Sequence, residues 1–194
     1  DLGIDSVLLI DPYYNGPSSL EIRKEYVEPV AREFPGLSIV PYIIPGRTGT
    51  QLFPQDLALL YSSYKNVNAV KEATGQEKNA REIRRLCGDS FSILSGDDDR
   101  TLEMIRDPFT RAQGVISVAS NIAPAAIREM VRAARNGRDG RAVELREKLA
   151  PLFEMVTVKT VEESGRGSVE VKARNPLPTK TLMRLLGMPS GPTR

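Results

Sequence analysis

The chain has 194 residues, with 27 Lys or Arg against 25 Asp or Glu, so its net charge is only +2. This near balance argues against nucleic acid or an anionic membrane as the main partner, and the absence of histidine excludes imidazole bases and histidine-ligated metals. With Cys87 as its single cysteine, the chain has neither a disulfide framework nor a thiolate metal cluster. We therefore expect a cytoplasmic protein that uses no metal.

Short β-branched runs alternate with longer amphipathic stretches up to residue 135. The runs predict five strands, and the stretches predict a helix after each of them. The predicted strands are 4–10, 37–44, 67–73, 91–94 and 115–119, and the predicted helices are 18–34, 54–64, 76–87, 98–106 and 124–135. Nearly continuous hydrophobicity is typical of parallel strands that are buried on both faces. Pro41 lies inside the second run, although central strands disfavour proline.

The pattern changes after residue 136. A helix is predicted over 139–153, and alternation on both sides of Ser164-Gly165-Arg166-Gly167 predicts a β-hairpin over 156–172. A last helix over 179–186 would end at Gly187. We therefore divide the chain into a βα-repeat region at 1–136 and a C-terminal helical region with the hairpin at 137–194. Because the chain opens almost directly into a strand and lacks an initial methionine, we expect further sequence upstream.

Functional side chains of parallel α/β folds lie at the carboxyl ends of the strands, and Lys71 is the strongest candidate there. Val67 and Ala69 share its face of the third predicted strand, so its amine would enter an apolar interior. Loss of water lowers the pKa of a lysine and frees the amine to attack a ketone. Two structural roles are the alternatives: the side chain leaves the strand end for solvent, or it pairs with Glu72.

Polar residues also follow the second and fourth strands. Tyr42 is placed to move protons, and Arg47, in a Gly/Pro-rich loop, is placed to hold a carboxylate with paired hydrogen bonds. An interfacial tyrosine and a solvated loop arginine are the structural alternatives. The three carboxylates at 97–99 fit a helix N-terminus better than a metal site.

Six motifs stand in order along the chain: Pro12-Tyr-Tyr-Asn, Tyr42-x-x-Pro-x-Arg-Thr-Gly, Lys71-Glu-Ala-Thr-Gly, Leu94-Ser-Gly-Asp-Asp, Gly114-Val-Ile-Ser-Val and Asn175-Pro-x-Pro-x-Lys180. As a set they resemble the dihydrodipicolinate synthase / N-acetylneuraminate lyase family of pyruvate-dependent class I aldolases. The resemblance covers about residues 2–188. It implies a (β/α)₈ TIM barrel, of which this chain holds the C-terminal five βα units, corresponding to strands 4–8 of the family. The hairpin has no counterpart in the usual family pattern.

The resemblance also implies a site and a reaction. Lys71 would form a Schiff base with pyruvate without a separate cofactor, and the enamine would attack an aldehyde, L-aspartate 4-semialdehyde in the synthase branch that serves diaminopimelate and lysine biosynthesis. Tyr42 would relay protons, and Tyr14 would be lent across a dimer interface into a neighbouring active site. The remaining implied residues bind substrate: Gly96 and the Ile116 backbone for pyruvate, and Arg47 for the carboxylate of the aldehyde. The implied assembly is a homo-oligomer, a dimer or a tetramer.

Two alternatives stand beside this interpretation. A sister aldolase that cleaves N-acetylneuraminate or ketodeoxygluconate would use the same lysine chemistry, whereas a non-catalytic partial barrel would instead bind a full-length paralogue. Five strands without the other three leave two unpaired edges. We therefore expect that such an open sheet, on its own, exposes Lys71 to water. The pKa of the lysine would then stay at about 10.4.

Overall fold

Five parallel strands lie in one sheet, in the same order as in the chain. They are Ser6–Ile10 (β1), Ser38–Ile43 (β2), Ala69–Glu72 (β3), Ser92–Ser95 (β4) and Gly114–Val115 (β5). The computed structural model describes residues 3–193, which form one compact unit within Asp1–Ile116 and a second within Ser117–Arg194. The sheet belongs to the first unit. Sequential parallel order with helical connections is the arrangement of consecutive strands in a (β/α) barrel, which confirms the predicted fold class.

Helices connect the strands of this unit. They are Ser19–Glu21 (α1), which continues through a π-helical turn at Ile22–Val27 into Glu28–Glu33 (α2), then Pro45–Thr48 (α3), Pro54–Ser63 (α4), Glu77–Cys87 (α5), and a 3₁₀ turn at Asp98–Arg100 that runs into Thr101–Arg106 (α6). The Ser18 hydroxyl accepts from the Glu21 N–H and the Glu21 carboxylate accepts from the Ser18 N–H, a reciprocal cap that starts α1. The sequence did not predict the π-helical turn or α3.

The two faces of the sheet are buried to different degrees. Ile39, Ile43, Val70 and Ile93 are 0% exposed and belong to the main apolar core, whereas Leu8, on the opposite face, is 44% exposed. The predicted burial on both faces is therefore wrong for β2 and β4, whose residues alternate between half-buried and buried. It holds for β3, which is buried throughout because it is the middle strand.

Pro41 lies within β2 after all. It pairs with Leu9 of β1. On the side of β2 that faces β3, the Ile39 N–H donates to the Asn66 carbonyl. Residue pairing between β2 and β3 begins only after Pro41, with Tyr42 opposite Lys71. A proline has no N–H to give to a ladder. The strand tolerates Pro41 because it falls where the ladder with β3 is interrupted.

In the part of the second unit that the structure describes, there are three helices and a hairpin. Its elements are a 3₁₀ turn at Ala119–Asn121, then Pro124–Arg135 (α7), Asp139–Glu154 (α8), Thr157–Ser164 (β6), Gly167–Arg174 (β7) and Leu177–Leu185 (α9). Helices α7 and α8 pack on each other. The predicted hairpin is confirmed, with β6 and β7 antiparallel around a two-residue turn. The domain boundary expected at 136 stays a prediction. Within residues 3–193, no helix is long and apolar enough to cross a membrane.

Candidate active site

Lys71 lies at the centre of the sheet. In β3 it is paired with Tyr42 of β2 on one side and with Leu94 of β4 on the other, and it is only 7% exposed. Burial lowers the pKa of the Lys71 amine, and the charges of Asp97 and Asp98 partly oppose this. The expectation that an open sheet exposes this lysine is wrong, because the middle strand has neighbours on both sides.

The amine of Lys71 rests on an aromatic ring. Its Nζ lies 3.9 Å from the centroid of the Tyr42 ring. The ring face favours the ammonium form while burial favours the neutral amine. Burial, followed by the charge of Asp97, raises the pKa of the Tyr42 phenol, and Arg47 opposes the rise. The phenol is therefore a proton donor at neutral pH, next to an amine that can lose its charge.

Gly96, directly after β4, lets the fourth strand approach Lys71. A methyl group at this position would lie 2.6 Å from the Cβ of Ala73 and 3.1 Å from the Cε of Lys71. The Gly96 N–H donates to the Glu72 carbonyl at 2.7 Å. Residue 96 thus packs against the lysine side chain itself, and only glycine fits there without a shift of the neighbouring atoms.

Glu72 lies on the other face of β3, away from the amine. It is 2% exposed, and its carboxylate accepts hydrogen bonds from the Thr74 N–H at 2.9 Å and the Asn79 side-chain amide at 3.2 Å. Burial raises the pKa of this carboxyl. Both structural alternatives for Lys71 are therefore wrong: its side chain neither pairs with Glu72 nor leaves the strand end for solvent.

Asp97 is a site residue that sequence reasoning treated only as a helix cap. It holds the N-cap position of the 3₁₀ turn, yet its carboxylate makes no capping hydrogen bond; its carbonyl instead accepts from the hydroxyls of Ser95 and Thr101. Burial raises the pKa of Asp97 to about 6, and its charge acts on both Lys71 and Tyr42. The signal in the sequence was its place directly after a strand end, beside Gly96.

Arg47 and Ile116 follow neighbouring strand ends. Arg47 is exposed in the short helix α3, and its charge lowers the pKa of Tyr42, which places the guanidinium within electrostatic reach of the phenol. The Ile116 N–H donates to the Ser95 carbonyl at 2.9 Å, so this hydrogen bond fixes the Ile116 backbone beside the end of β4.

Tyr14 is not brought together with the other candidates. Its side chain is 96% exposed, and its backbone has a φ of 78°. A bulky residue in the left-handed region is under backbone strain. The structure thus presents Tyr14 outward from the chain as an almost fully exposed residue.

Asp11 is a second residue that sequence reasoning passed over. It is 1% exposed, its carboxylate accepts from the Leu52 N–H at 3.0 Å, and its own N–H donates to the Tyr42 carbonyl at 3.1 Å. Burial raises the pKa of this carboxyl to about 6, against the lowering effect of Leu52. Asp11 ties the end of β1 to Tyr42 and to the segment that follows α3. No signal other than its strand-end position marked it.

The fold and this site together define part of a (β/α) barrel with a desolvated lysine at a strand end. Within residues 3–193, no group of three or more Asp, Glu and Cys side chains is arranged to hold a metal ion. The chain belongs to the Dihydrodipicolinate synthetase family, which matches residues 1–194.

Individual relatives agree with this assignment. The chain is 42% identical over 195 residues to a 4-hydroxy-tetrahydrodipicolinate synthase of Methanothrix thermoacetophila, covering 100% of this chain and 59% of the relative. It matches the crystal structure of dihydrodipicolinate synthase from Aquifex aeolicus with a TM-score of 0.84 and 35% identity, over 99% of this chain and 59% of the other. The enzyme of Acinetobacter baumannii, solved in complex with pyruvate, matches with a TM-score of 0.81 and 28% identity, over 100% and 60%. The chain thus spans about 60% of the length of these proteins.

Proposed function

We propose that this chain forms a Schiff base between Lys71 and pyruvate and condenses pyruvate with L-aspartate 4-semialdehyde. This is the 4-hydroxy-tetrahydrodipicolinate synthase reaction of diaminopimelate and lysine biosynthesis. The observation that carries the proposal is the buried Lys71 amine, whose pKa is lowered, on the ring of Tyr42 at a strand end. The family assignment and the pyruvate complex of the Acinetobacter baumannii relative support it.

The chemistry follows from an uncharged amine. The Nζ lone pair of Lys71 attacks the ketone carbon of pyruvate, and loss of water gives an iminium. Its positive charge draws electrons from the neighbouring methyl group, which loses a proton to become an enamine. The enamine carbon then attacks the aldehyde carbon and forms the new carbon–carbon bond, while the aldehyde oxygen takes up a proton. Tyr42, protonated at neutral pH, lies beside the amine and relays protons in these steps.

Substrate binding is proposed for the groups around the amine. Gly96, which packs against the Lys71 side chain, would present its backbone to pyruvate, and the Ile116 backbone would line the same pocket. Arg47, exposed and near Tyr42, would hold the carboxylate of the semialdehyde through paired hydrogen bonds.

We also propose that the chain assembles as a homo-oligomer. Tyr14, outward-facing and strained, would enter the site of a second chain in a dimer or tetramer. The reaction needs no separate cofactor, since the lysine itself carries the covalent intermediate. We place it in the cytoplasm, in keeping with a chain that has one cysteine.

Borohydride reduction in the presence of pyruvate tests the lysine. We expect one reduced pyruvate adduct per chain, located on Lys71 by peptide mass mapping. Lys71→Arg should abolish the adduct, and Lys65→Arg, at an exposed lysine of the same unit, should leave it unchanged. An adduct that persists in Lys71→Arg, or that never forms in the wild type, contradicts the proposal.

The aldehyde is tested separately. Arg47 favours a small aldehyde that carries its own carboxylate over the substrates of the sugar-acid aldolases. L-aspartate 4-semialdehyde should therefore consume the enamine, and Arg47→Ala should raise the KM for this semialdehyde. Strong release of pyruvate from N-acetylneuraminate or ketodeoxygluconate would instead favour a sister aldolase and overturn the role given to Arg47.

A further inference from the structure

The β6–β7 hairpin has an edge whose backbone groups point outward. Among residues 3–193, β6 and β7 pair only with each other. The ladder runs from Ser164–Gly167 at the turn to the Asn175 N–H, which donates to the Val156 carbonyl. Antiparallel hydrogen bonding alternates along such a ladder. The N–H and C=O groups of every second β7 residue therefore face away from β6; these residues are Ser168, Glu170, Lys172 and Arg174.

The side chains of the hairpin are unevenly distributed. Val158, Val169 and Val171 share one face, and Val169 is 53% exposed. On the other face Lys159 lies directly opposite Lys172. Like charges in that position destabilise a sheet. One face of the hairpin therefore carries most of its valines, and the other face has an excess of positive charge where Lys172 meets the free edge.

We propose that β7 binds β7 of a second copy of this chain, antiparallel, with a two-fold axis at Val171. The two hairpins then form one continuous four-stranded sheet. In this register Glu170 lies opposite Lys172 of the partner subunit, and Val171 lies opposite the partner's Val171. Every outward-pointing residue of β7 gains a backbone hydrogen-bonding partner. The negative charge of Glu170 also offsets the repulsion between Lys159 and Lys172.

The charge order of β7 selects this register. A shift by two residues in one direction sets Glu170 against Glu170, and in the other direction it sets Lys172 against Lys172. Both arrangements place like charges opposite each other. A shift by one residue turns the side chains of the second strand to the wrong face. The hairpin contact does not depend on the lysine chemistry proposed above.

Site-specific disulfide formation tests the contact. Cys87, the only cysteine, is first replaced by serine. Residues opposite each other in a non-hydrogen-bonded antiparallel pair have Cα atoms about 4.5 Å apart, within the range that a disulfide spans. Val171→Cys should therefore give a disulfide-linked dimer under mild oxidation. Val169→Cys is the matched control, because two copies of residue 169 would be separated by four residue steps, about 13 Å.

Mixed and charge-swapped variants make the test specific. A Val169→Cys chain mixed with an Ala173→Cys chain should give the mixed disulfide, because these residues face each other in the proposed register. In the Val171→Cys chain, Glu170→Lys should reduce the amount of disulfide-linked dimer to that of the Val169→Cys control. Adding Lys172→Glu to this variant should restore the amount of dimer. Circular dichroism checks that each variant keeps its fold.

Three results would overturn the proposal. The first is equal cross-linking of the Val171→Cys and Val169→Cys chains. The second is a Val171→Cys dimer that is unaffected by Glu170→Lys or is not restored by the second substitution. The third is efficient cross-linking through Val161→Cys, which would place the contact on β6.

Discussion

Replacing Gly96 with alanine tests whether the close packing of β4 on β3 holds Lys71 in place. The added methyl would lie 2.6 Å from the Ala73 Cβ and 3.1 Å from both the Lys71 Cε and the Glu72 carbonyl oxygen. Carbon atoms in contact pack at about 3.5–4.0 Å, so the ends of the two strands must separate by about 1 Å. The Gly96 backbone is outside the left-handed region, and the effect is therefore one of space.

The size of the effect follows from these contacts. Overpacking of this kind costs about 1–3 kcal/mol, and weakening the 2.7 Å hydrogen bond between the Gly96 N–H and the Glu72 carbonyl adds about 1 kcal/mol. We expect Gly96→Ala to lower the free energy of unfolding of the first unit by about 2–4 kcal/mol. A displacement of Lys71 by about 1 Å would slow adduct formation with pyruvate on the order of 100-fold.

Urea unfolding and the rate of borohydride trapping measure the two effects. Adding Ala73→Gly removes the atom at 2.6 Å, so the double variant should recover part of both losses, with a coupling energy of about 0.5–3 kcal/mol. Gly36→Ala is the control, since a methyl there meets nothing within 4 Å and should change stability by less than about 0.5 kcal/mol. If Gly96→Ala unfolds and reacts like the wild type, the packing argument is refuted.

Three further substitutions test the charges of the site. Asp97→Asn removes a charge that raises the pKa of Lys71, so the pH profile of trapping should move to lower pH; an unmoved profile counts against this contact. Tyr42→Phe keeps the ring but removes the hydroxyl that relays protons, so we expect slower trapping and slower turnover of the semialdehyde, with the adduct still forming on Lys71. Folding raises the pKa of Asp11 from 3.8 to about 6, so stability falls as pH rises from about 4 to about 6. Asp11→Asn should reduce this loss of stability, measured by urea unfolding at each pH. The loss that comes from the raised pKa of Asp97 should remain.

The sequence predicts well what depends on local pattern. The five parallel strands follow from β-branched runs, and the hairpin follows from alternation around Gly165 and Arg166. The approach of Lys71 and Tyr42 follows from a general property of parallel sheets, since residues at neighbouring strand ends meet at one edge. These predictions needed no knowledge of which side chains pack on which.

What the sequence does not reveal depends on contacts between distant segments. Pro41 is tolerated because the ladder between β2 and β3 is interrupted beside it, which the proline alone does not indicate. Asp97 occupies a helix N-terminus and therefore resembles a cap; its role beside Lys71 follows from the position of β4 next to β3. The burial of Asp11 depends in the same way on Leu52, which is 41 residues away in the chain.

The alternation of β3 explains how Lys71 can lie in a strand next to a glutamate without forming an ion pair with it. Because successive side chains point to opposite faces, Glu72 turns into the helix-facing core and is held by Thr74 and Asn79. An ion pair with Lys71 would have raised the pKa of the amine and kept it charged. Of the two carboxylates whose charges act on the amine, Asp97 and Asp98, Asp97 has a raised pKa itself, so its own burial limits how far it can oppose the loss of the proton. Burial in the middle strand therefore controls Lys71, and this burial is already present in a sheet of five strands.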